Sequence, residues 1–415
     1  MGAAKVGLLV AILFIVAVIN DWSSLDLLII ALLILLLIAY FWSRFSLQRL
    51  GLTRSLSLDR VRAGESVIEE LTLRNASWLP KLWVEVRDLS SLPGHHASRV
   101  VHLAGHGEAT WRAETLCARR GRYQLGPVRV SSGDPFGLFA SHRFIPVRHE
   151  LVVYPVKLDV SMIHLPAANM SGGAVLNRNA AISSPTIAGL RDYTAGDPLN
   201  RISWAATARR GMMMVKEFDP DPTSDLWIMI DLNESGMRPL GDALEPREDT
   251  ATLQPELDST EEYLIALGGS LAERALEDGR KVGLIVNRSM PVRLVADNTR
   301  RQWYRIFESL AMARPFGNRS LAEAIAVESR RFSRTAGLIV LTASPDRAWV
   351  DAARALVQRQ VPVGAVVIDD VPGFAAGEDL DRLIEELAVA RVSVTRYPIH
   401  GAATGTEDPV TRKPA

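Results

Sequence analysis

Three successive architectures are predicted for this chain: a transmembrane helical hairpin, a β-sandwich domain, and an α/β domain with a mostly parallel sheet. The first follows from two apolar runs at the start of the 415 residues, where residues 1–42 carry only Lys5, Asp21 and Asp26 as charges. The second follows from short segments of alternating polarity separated by turn residues. The third follows from a change of period after Leu226, where buried-type strands alternate with amphipathic helices. The 47 basic and 47 acidic residues cancel, which argues against a dedicated nucleic-acid binder. A single cysteine, Cys117, excludes an intramolecular disulfide and any multi-cysteine metal site.

The hairpin occupies residues 1–45. Val6–Ile19 and Leu27–Trp42 are uncharged apolar runs near the short end of the roughly 17–25 residues that span a bilayer. They are joined by residues 20–26, too short for anything but a tight turn. A cleaved signal peptide is disfavoured, because no small-x-small site follows the first run and the second begins at once. Lys5 flanks one end and Arg44, Arg49 and Arg54 the other, whereas the turn carries Asp21 and Asp26 without Lys or Arg. Positive charge stays on the cytoplasmic side, so a two-pass protein of the inner cell membrane is expected, with its soluble domains cytoplasmic. Trp22, Tyr40, Phe41 and Trp42 suit the two interfaces.

Residues 50–155 read as the β-sandwich. Candidate strands are Val67–Arg74, Leu82–Arg87, Arg99–Leu103, Trp111–Thr115, Tyr123–Val130, Leu138–Val147 and Leu151–Tyr154. In Leu82–Arg87 the alternation puts Leu82, Val84 and Val86 on one face; in Trp111–Thr115 it turns Arg112 and Glu114 outward. No helix-length segment intervenes, so two packed antiparallel sheets are the natural solution. His95, His96, His102 and His106 cluster here, but no acid or thiolate completes a recognisable ligand set by spacing. Cys117 reads as a strand residue rather than a nucleophile.

Residues 156–225 connect to the α/β domain of residues 226–400. Leu226–Asn233 is a buried-type strand; Ser259 caps a helix reaching Gly279; Lys281–Asn287 and Pro291–Ala296 form a hairpin. Helices over Asp297–Ala313, Ser320–Phe332, Asp346–Gln358 and Leu380–Ala390 alternate with strands Gly337–Ala343, Val361–Asp369 and Val392–Tyr397. The acidic stretch Gly241–Asp258 reads as a loop and residues 401–415 as a disordered tail.

Ligands of such sheets gather beyond the carboxyl ends of the strands. Those ends carry Asp231, Asn233 and Ser235, then Asn287, Thr342–Ser344 and the pair Asp369–Asp370. Asp231, Asn233 and Ser235 could offer hard oxygens to Mg²⁺, or could simply tie down the following loop. No P-loop, G-x-G-x-x-G or G-x-S-x-G is present, and Asp369 and Asp370 point opposite ways on a strand. No general acid or base can be named, so an enzyme is not expected and a hydrolase stays an alternative.

The densest segment is Gly189–Asp221, with Pro198 at a first helical position behind Asp197, a short helix through Trp204 and Arg209, and Val215–Phe218 alternating as a strand. It is either a clasp of ion pairs around one buried Trp, or a partner surface formed by Arg191, Tyr193, Asp197, Arg201, Trp204, Arg209, Lys216 and Glu217.

Gly189, Arg191, Tyr193, Gly196-Asp197-Pro198, Arg201, Trp204, Ala208-Arg209 and Val215-Lys216-Glu217-Phe218, in that order, resemble the signature of the domain of unknown function 58 family. Arg120-Gly121-Arg122-Tyr123, Leu125-Gly126-Pro127, Asp134–Phe139 and Tyr154-Pro155 extend the resemblance upstream. It implies a von Willebrand factor A-like fold for the α/β domain and association with a MoxR-type AAA+ ATPase and with membrane proteins. Domains of that fold often bind Mg²⁺ through D-x-S-x-S, a Thr and an Asp on three loops. Here Asn233 replaces a Ser, Arg319 stands near the Thr position, and Ala343 replaces the Asp. The loss of that carboxylate weakens the metal reading, and Arg319 is expected to pair with Asp231 in the cation's place. The expectation is therefore a non-enzymatic scaffold anchored in membrane lipid, presenting the strand ends and Gly189–Asp221 to an AAA+ ATPase and to a membrane or envelope client. A divalent-metal-dependent adhesion-type module is the other binding alternative.

Overall fold

Alternating apolar side chains decide where the strands of the first unit lie. The computed structural model describes residues 2–20, 23–166, 183–192, 203–220, 225–238, 257–333, 336–344, 346–369 and 378–398. These form two units, one ending at Tyr154 and the next beginning at Pro155. Gly241–Glu256 of the expected acidic loop and the tail from Gly401 lie outside the described residues.

Two helices open the first unit, α1 (Gly2–Asn20) and α2 (Ser23–Ser46), which meet along a narrow seam of Val10 and Ile29 flanked by Val6, Leu13, Leu32 and Leu36. Most other described apolar side chains of α2 stay exposed. Among the described residues one helical stretch, Asp26–Ser46, is long and apolar enough to cross a membrane. The end of α2 is fixed to the strands that follow. Ser43 Oγ lies 2.8 Å from Ser141 Oγ, Tyr40 meets Phe139 edge to face, and Lys81 Nζ donates to the Phe45 carbonyl at 2.8 Å. A cation at the last carbonyls of a helix also complements its dipole.

The strands are β1 (Leu50–Leu56), β2 (Arg60–Arg62), β3 (Ser66–Asn75), β4 (Lys81–Asp88), β5 (Arg99–Leu103), β6 (Glu108–Leu116), β7 (Gly121–Leu125), β8 (Val128–Gly133), β9 (Ala140–Ile145) and β10 (His149–Tyr154). Antiparallel sheets β1-β3-β6 and β5-β4-β8-β9 face each other in sandwich fashion. Leu71, Leu73 and Trp111 of one share a core with Val84, Val86, Val128 and Val130 of the other. A small third sheet, β2-β10-β7, contains a parallel pair, β2 with β10.

Three expectations are corrected here. The single strand expected over Tyr123–Val130 is broken at Gly126-Pro127, because Pro127 has no N–H to donate and Gly126 has φ of 84°. A Cβ at Gly126 would stand 2.2 Å from the Val147 carbonyl oxygen. Leu82 does not share the face of Val84 and Val86. A register shift between Lys81 and Val84 turns Leu82 outward and Lys81 inward. Arg54 is buried within β1 and paired with Glu69 and Asp88, so it is not the free flanking charge that the sequence predicts.

In the second unit, β11 (Ser183–Asp192) pairs antiparallel with β12 (Met214–Pro220), and α3 (Trp204–Arg210) lies between them in sequence. The main sheet uses β13 (Leu226–Asp231), α4 (Thr260–Glu277), β14 (Val282–Asn287), β15 (Val292–Asp297), α5 (Arg300–Ala311), α6 (Leu321–Glu328), β16 (Gly337–Thr342), α7 (Val350–Gln358), β17 (Val363–Asp369), α8 (Glu378–Val389) and β18 (Ser393–Pro398). Its order is β15-β14-β13-β16-β17-β18, with only the β14–β15 pairing antiparallel. Trp227 and Met229 point to a core shared with α6, α7 and α8. Ile230 points the other way, where Gly268 lets α4 approach; a Cβ there would stand 2.4 Å from Ile230 Cδ1. Helices thus cover both faces, as a buried parallel sheet requires.

Candidate functional site

Parallel pairing of β13 with β14 and β16 brings three strand ends together. Asp231 stands opposite Asn287, and Ile230 opposite Leu341, which precedes Thr342. Asp231 Oδ1 accepts from Asn287 Nδ2 at 2.9 Å and from the Asn233 N–H at 3.4 Å. Its Oδ2 accepts from the Thr342 hydroxyl at 3.0 Å. Burial pushes the Asp231 carboxyl pKa up, opposed by those three hydrogen bonds, while the charge of Asp346 pushes it further up. Asn233 is an Asx turn in its own right: its Oδ1 accepts from both the N–H and the hydroxyl of Ser235 at 3.0 Å. Glu234 reaches across to the Gly317 N–H at 2.7 Å.

The expected ion pair between Arg319 and Asp231 is absent among the described residues. Arg319 contributes its backbone instead, its carbonyl accepting from Asn233 Nδ2 at 3.2 Å and Asn287 Nδ2 at 3.1 Å. The Asn287 side-chain amide and the Asn233 N–H meet Asp231 Oδ1 instead. In donor type the set suits a hard cation: Asp231, Asn233 and Ser235 supply oxygens, and Asn287 Oδ1 is buried without a hydrogen-bond partner. In charge it is poor, because one carboxylate stands alone and both its oxygens are already engaged. A cation would have to displace the Asn287 or Thr342 hydrogen bond.

Of the expected partner surface, Tyr193, Asp197 and Arg201 lie outside the described residues. Arg191 is on β11 opposite Val215, and Lys216 and Glu217 are on β12 opposite Leu190 and Gly189. Within the described residues the short helix starts at Trp204, with Ser203 at its N-cap, and Gly211 ends it in the left-handed conformation at φ 73°. Trp204 is not the buried Trp of a clasp. It is 67 % exposed, with Met212 at 54 % and Met213 at 48 %, and Arg209 and Arg210 are exposed beside them in sequence. Underneath, the segment is tied down by Ser203 N–H to the Met214 carbonyl at 2.8 Å and Met214 N–H to Thr207 Oγ1 at 3.0 Å.

Of the four histidines, His95 acquires acids, one of them from a strand distant in sequence. His95 Nε2 lies 2.9 Å from Asp88 Oδ2 and 3.0 Å from Glu69 Oε2, and Nδ1 lies 2.8 Å from the Thr115 hydroxyl. Arg54 meets the same acids, Nε 2.5 Å from Glu69 Oε1 and Nη2 2.7 Å from Asp88 Oδ1. Burial alone would lower the His95 pKa, but hydrogen bonds and charges from Asp88 and Glu69 outweigh it and hold it at about 9. Burial would raise Asp88, yet hydrogen bonds from His95, Ser90 and Arg54 bring it to about 2. Glu69, Asp88 and His95 are close enough to ligate a metal, but Arg54 and the His95 proton already neutralise both carboxylates. The sequence offered no pairing for these residues, because β1, β3 and β4 bring them together only through sheet packing. Cys117 is buried, and its thiol is pushed up to about 11 by burial and by Glu65, which fits a packed side chain.

A family profile described as "Protein of unknown function DUF58" matches residues 189–372. A curated relative, "Uncharacterized protein YeaD" of Bacillus subtilis (strain 168), is 26% identical over 198 residues, covering 45% of this chain and 49% of that protein. The match therefore spans about half the length of that relative. Among solved structures, the CARDB domain of the PF1109 protein from Pyrococcus furiosus aligns with 26% of this chain and 94% of its own at 13% identity, TM-score 0.19. A β-glucosidase from Listeria innocua aligns with 25% of this chain and 16% of its own at 17% identity, TM-score 0.17. Likenesses this weak support no transfer of fold or activity.

Proposed function

We propose that this chain is a non-enzymatic membrane-anchored scaffold, both termini cytoplasmic after a two-pass hairpin, whose second unit recognises protein partners. The observation that carries the reading is the exposure of Trp204, Met212 and Met213 on a segment tied down at Met214. Exposed Trp and Met beside Arg in sequence are the composition of a binding hot spot. The α/β sheet is read as von Willebrand factor A-like, with its strand-end face around Asp231–Ser235 as the second recognition surface. The partner implied by the family resemblance is a MoxR-type AAA+ ATPase, acting with this chain on a membrane or envelope client. Both oxygens of Asp231 are taken by hydrogen bonds from Asn287, Asn233 and Thr342, and the reading includes no catalytic step.

The test is crosslinking in native membranes with a non-hydrolysable ATP analogue, followed by mass spectrometry of what co-purifies. An AAA+ ATPase is expected in the wild type and lost with Trp204→Ala; a wild-type preparation free of it would refute the partner. A second reading, a divalent-metal-dependent binding module, is favoured by one observation: Asp231 is buried without a counter-charge among the described residues. Calorimetric titration with Mg²⁺ would show saturable heat abolished by Asp231→Asn if that reading holds, and none otherwise.

A further inference from the structure

At the end of α2 an apolar groove of about 580 Å³ opens between the helix and the loop that precedes β4. Its apolar walls are Leu37, Phe41 and Phe45 on the helix and Trp78 on the loop, and its polar end carries Gln48 and Arg49. The volume lies within the roughly 300–1,000 Å³ of small-molecule sites. Two features make it more than a gap. Trp78 is 75 % exposed at the tip of a loop whose base is pinned: the Ala76 N–H bonds the Arg49 carbonyl at 2.9 Å, and Asn75 Nδ2 bonds the Leu79 carbonyl at 2.9 Å. Arg49 is exposed and has no ion pair among the described residues, while its backbone is held in the left-handed region at φ 56°. Lys81, at the same end, is buried and gives a hydrogen bond to the Phe45 carbonyl.

The groove is continuous with the exposed face of α2 that would cross the bilayer. Leu37 and Ile38 belong to the spanning stretch, Arg49 lies just beyond it, and a Trp at that level is the usual interfacial anchor. Along its length the lining therefore changes from acyl-chain chemistry to cationic chemistry in the order that a phospholipid presents tail and headgroup. We propose that this groove is a specific site for one anionic glycerophospholipid, its acyl chain along Phe41 and Trp78 and its phosphate against Arg49. The proposal rests on the reading that α2 spans the membrane. The site would make the seating of the β unit at the bilayer surface dependent on headgroup charge.

The test is native mass spectrometry of the full chain in mild detergent, titrated with phosphatidylglycerol or phosphatidylcholine of identical acyl chains. One phosphatidylglycerol should bind about fivefold more tightly than phosphatidylcholine, the value expected of one basic residue at an anionic surface. Arg49→Asn, which tolerates the left-handed backbone, should erase that preference, and Trp78→Ala should weaken both lipids. Equal binding of the two lipids by the wild type, or a preference surviving Arg49→Asn, overturns the site. Carbonate extraction separates the two readings. A chain released from membranes contradicts the span and the site together; a chain retained without headgroup preference contradicts the site alone.

Discussion

In the first unit, buried Glu69 and Asp88 are matched by Arg54 and His95, four groups whose charges cancel when the imidazole is protonated. In the second, among the described residues buried Asp231 meets an amide, a hydroxyl and a backbone N–H and no cation. Asp88 and Asp231 both accept hydrogen bonds, but among the described residues only Asp88 also lies against opposite charge. Their shifts reflect this: Asp88 is held at about 2, whereas the Asp231 carboxyl is displaced upward by burial. Compensated charge marks a structural brace; uncompensated charge marks a place where a partner or cation can still contribute.

The largest test of that contrast is Arg54→Met. It strands two buried carboxylates beside one histidine, and a loss of about 3–5 kcal/mol is expected in chemical denaturation of the full chain. An effect below about 1 kcal/mol would mean the network is wet rather than buried.

Next in size is pH. His95 is raised from 6.5 to about 9, so its contribution is complete below pH about 6.5 and is lost as pH climbs through about 9. With the side chain only 2% exposed, the loss should be on the order of 2–3 kcal/mol. Asp88 acts at the other end, its contribution present above pH about 4 and lost as pH falls through about 2. Melting temperature should therefore fall on the alkaline limb from pH 6.5 to about 9, and His95→Gln should flatten that limb.

Asp231→Asn should cost less than about 1 kcal/mol at neutral pH, or stabilise, because a raised carboxyl pKa means that ionisation opposes folding there. A cost as large as that of Arg54→Met would show that Asp231 has a counter-charge in solution. The smallest effect belongs to Arg319→Ala, within about 0.5 kcal/mol, since only its carbonyl joins the strand-end network. Circular dichroism melts of both variants suffice.

Period and caps carried much of the second unit. Ser259 caps α4 by accepting from the Glu262 N–H, and β14 and β15 form the hairpin that their spacing predicts. The helix expected over Asp297–Ala313 begins later, at Arg300, because Thr299 takes the capping role. In the first unit β1 has no clean signal in the sequence, since Arg54 stands at a buried position of the alternation in Leu50–Leu56. At the strand ends Asp231, Asn287 and Thr342 were legible, because a parallel sheet sends its carboxyl ends to one side. The role of Arg319 was not: backbone carbonyls leave no mark in a sequence. The Arg54–Glu69–Asp88–His95 network was invisible for a related reason, since its members approach only after two sheets pack.

If the proposed function holds, the outward Trp204 segment is where the chain meets its partner. A photo-crosslinking amino acid placed at Trp204, and as a control at exposed Arg143 on β9, tests it directly in native membranes. An adduct with an AAA+ ATPase is expected from position 204 and none from position 143. Identical crosslinking from the two positions, or none from position 204, would contradict it.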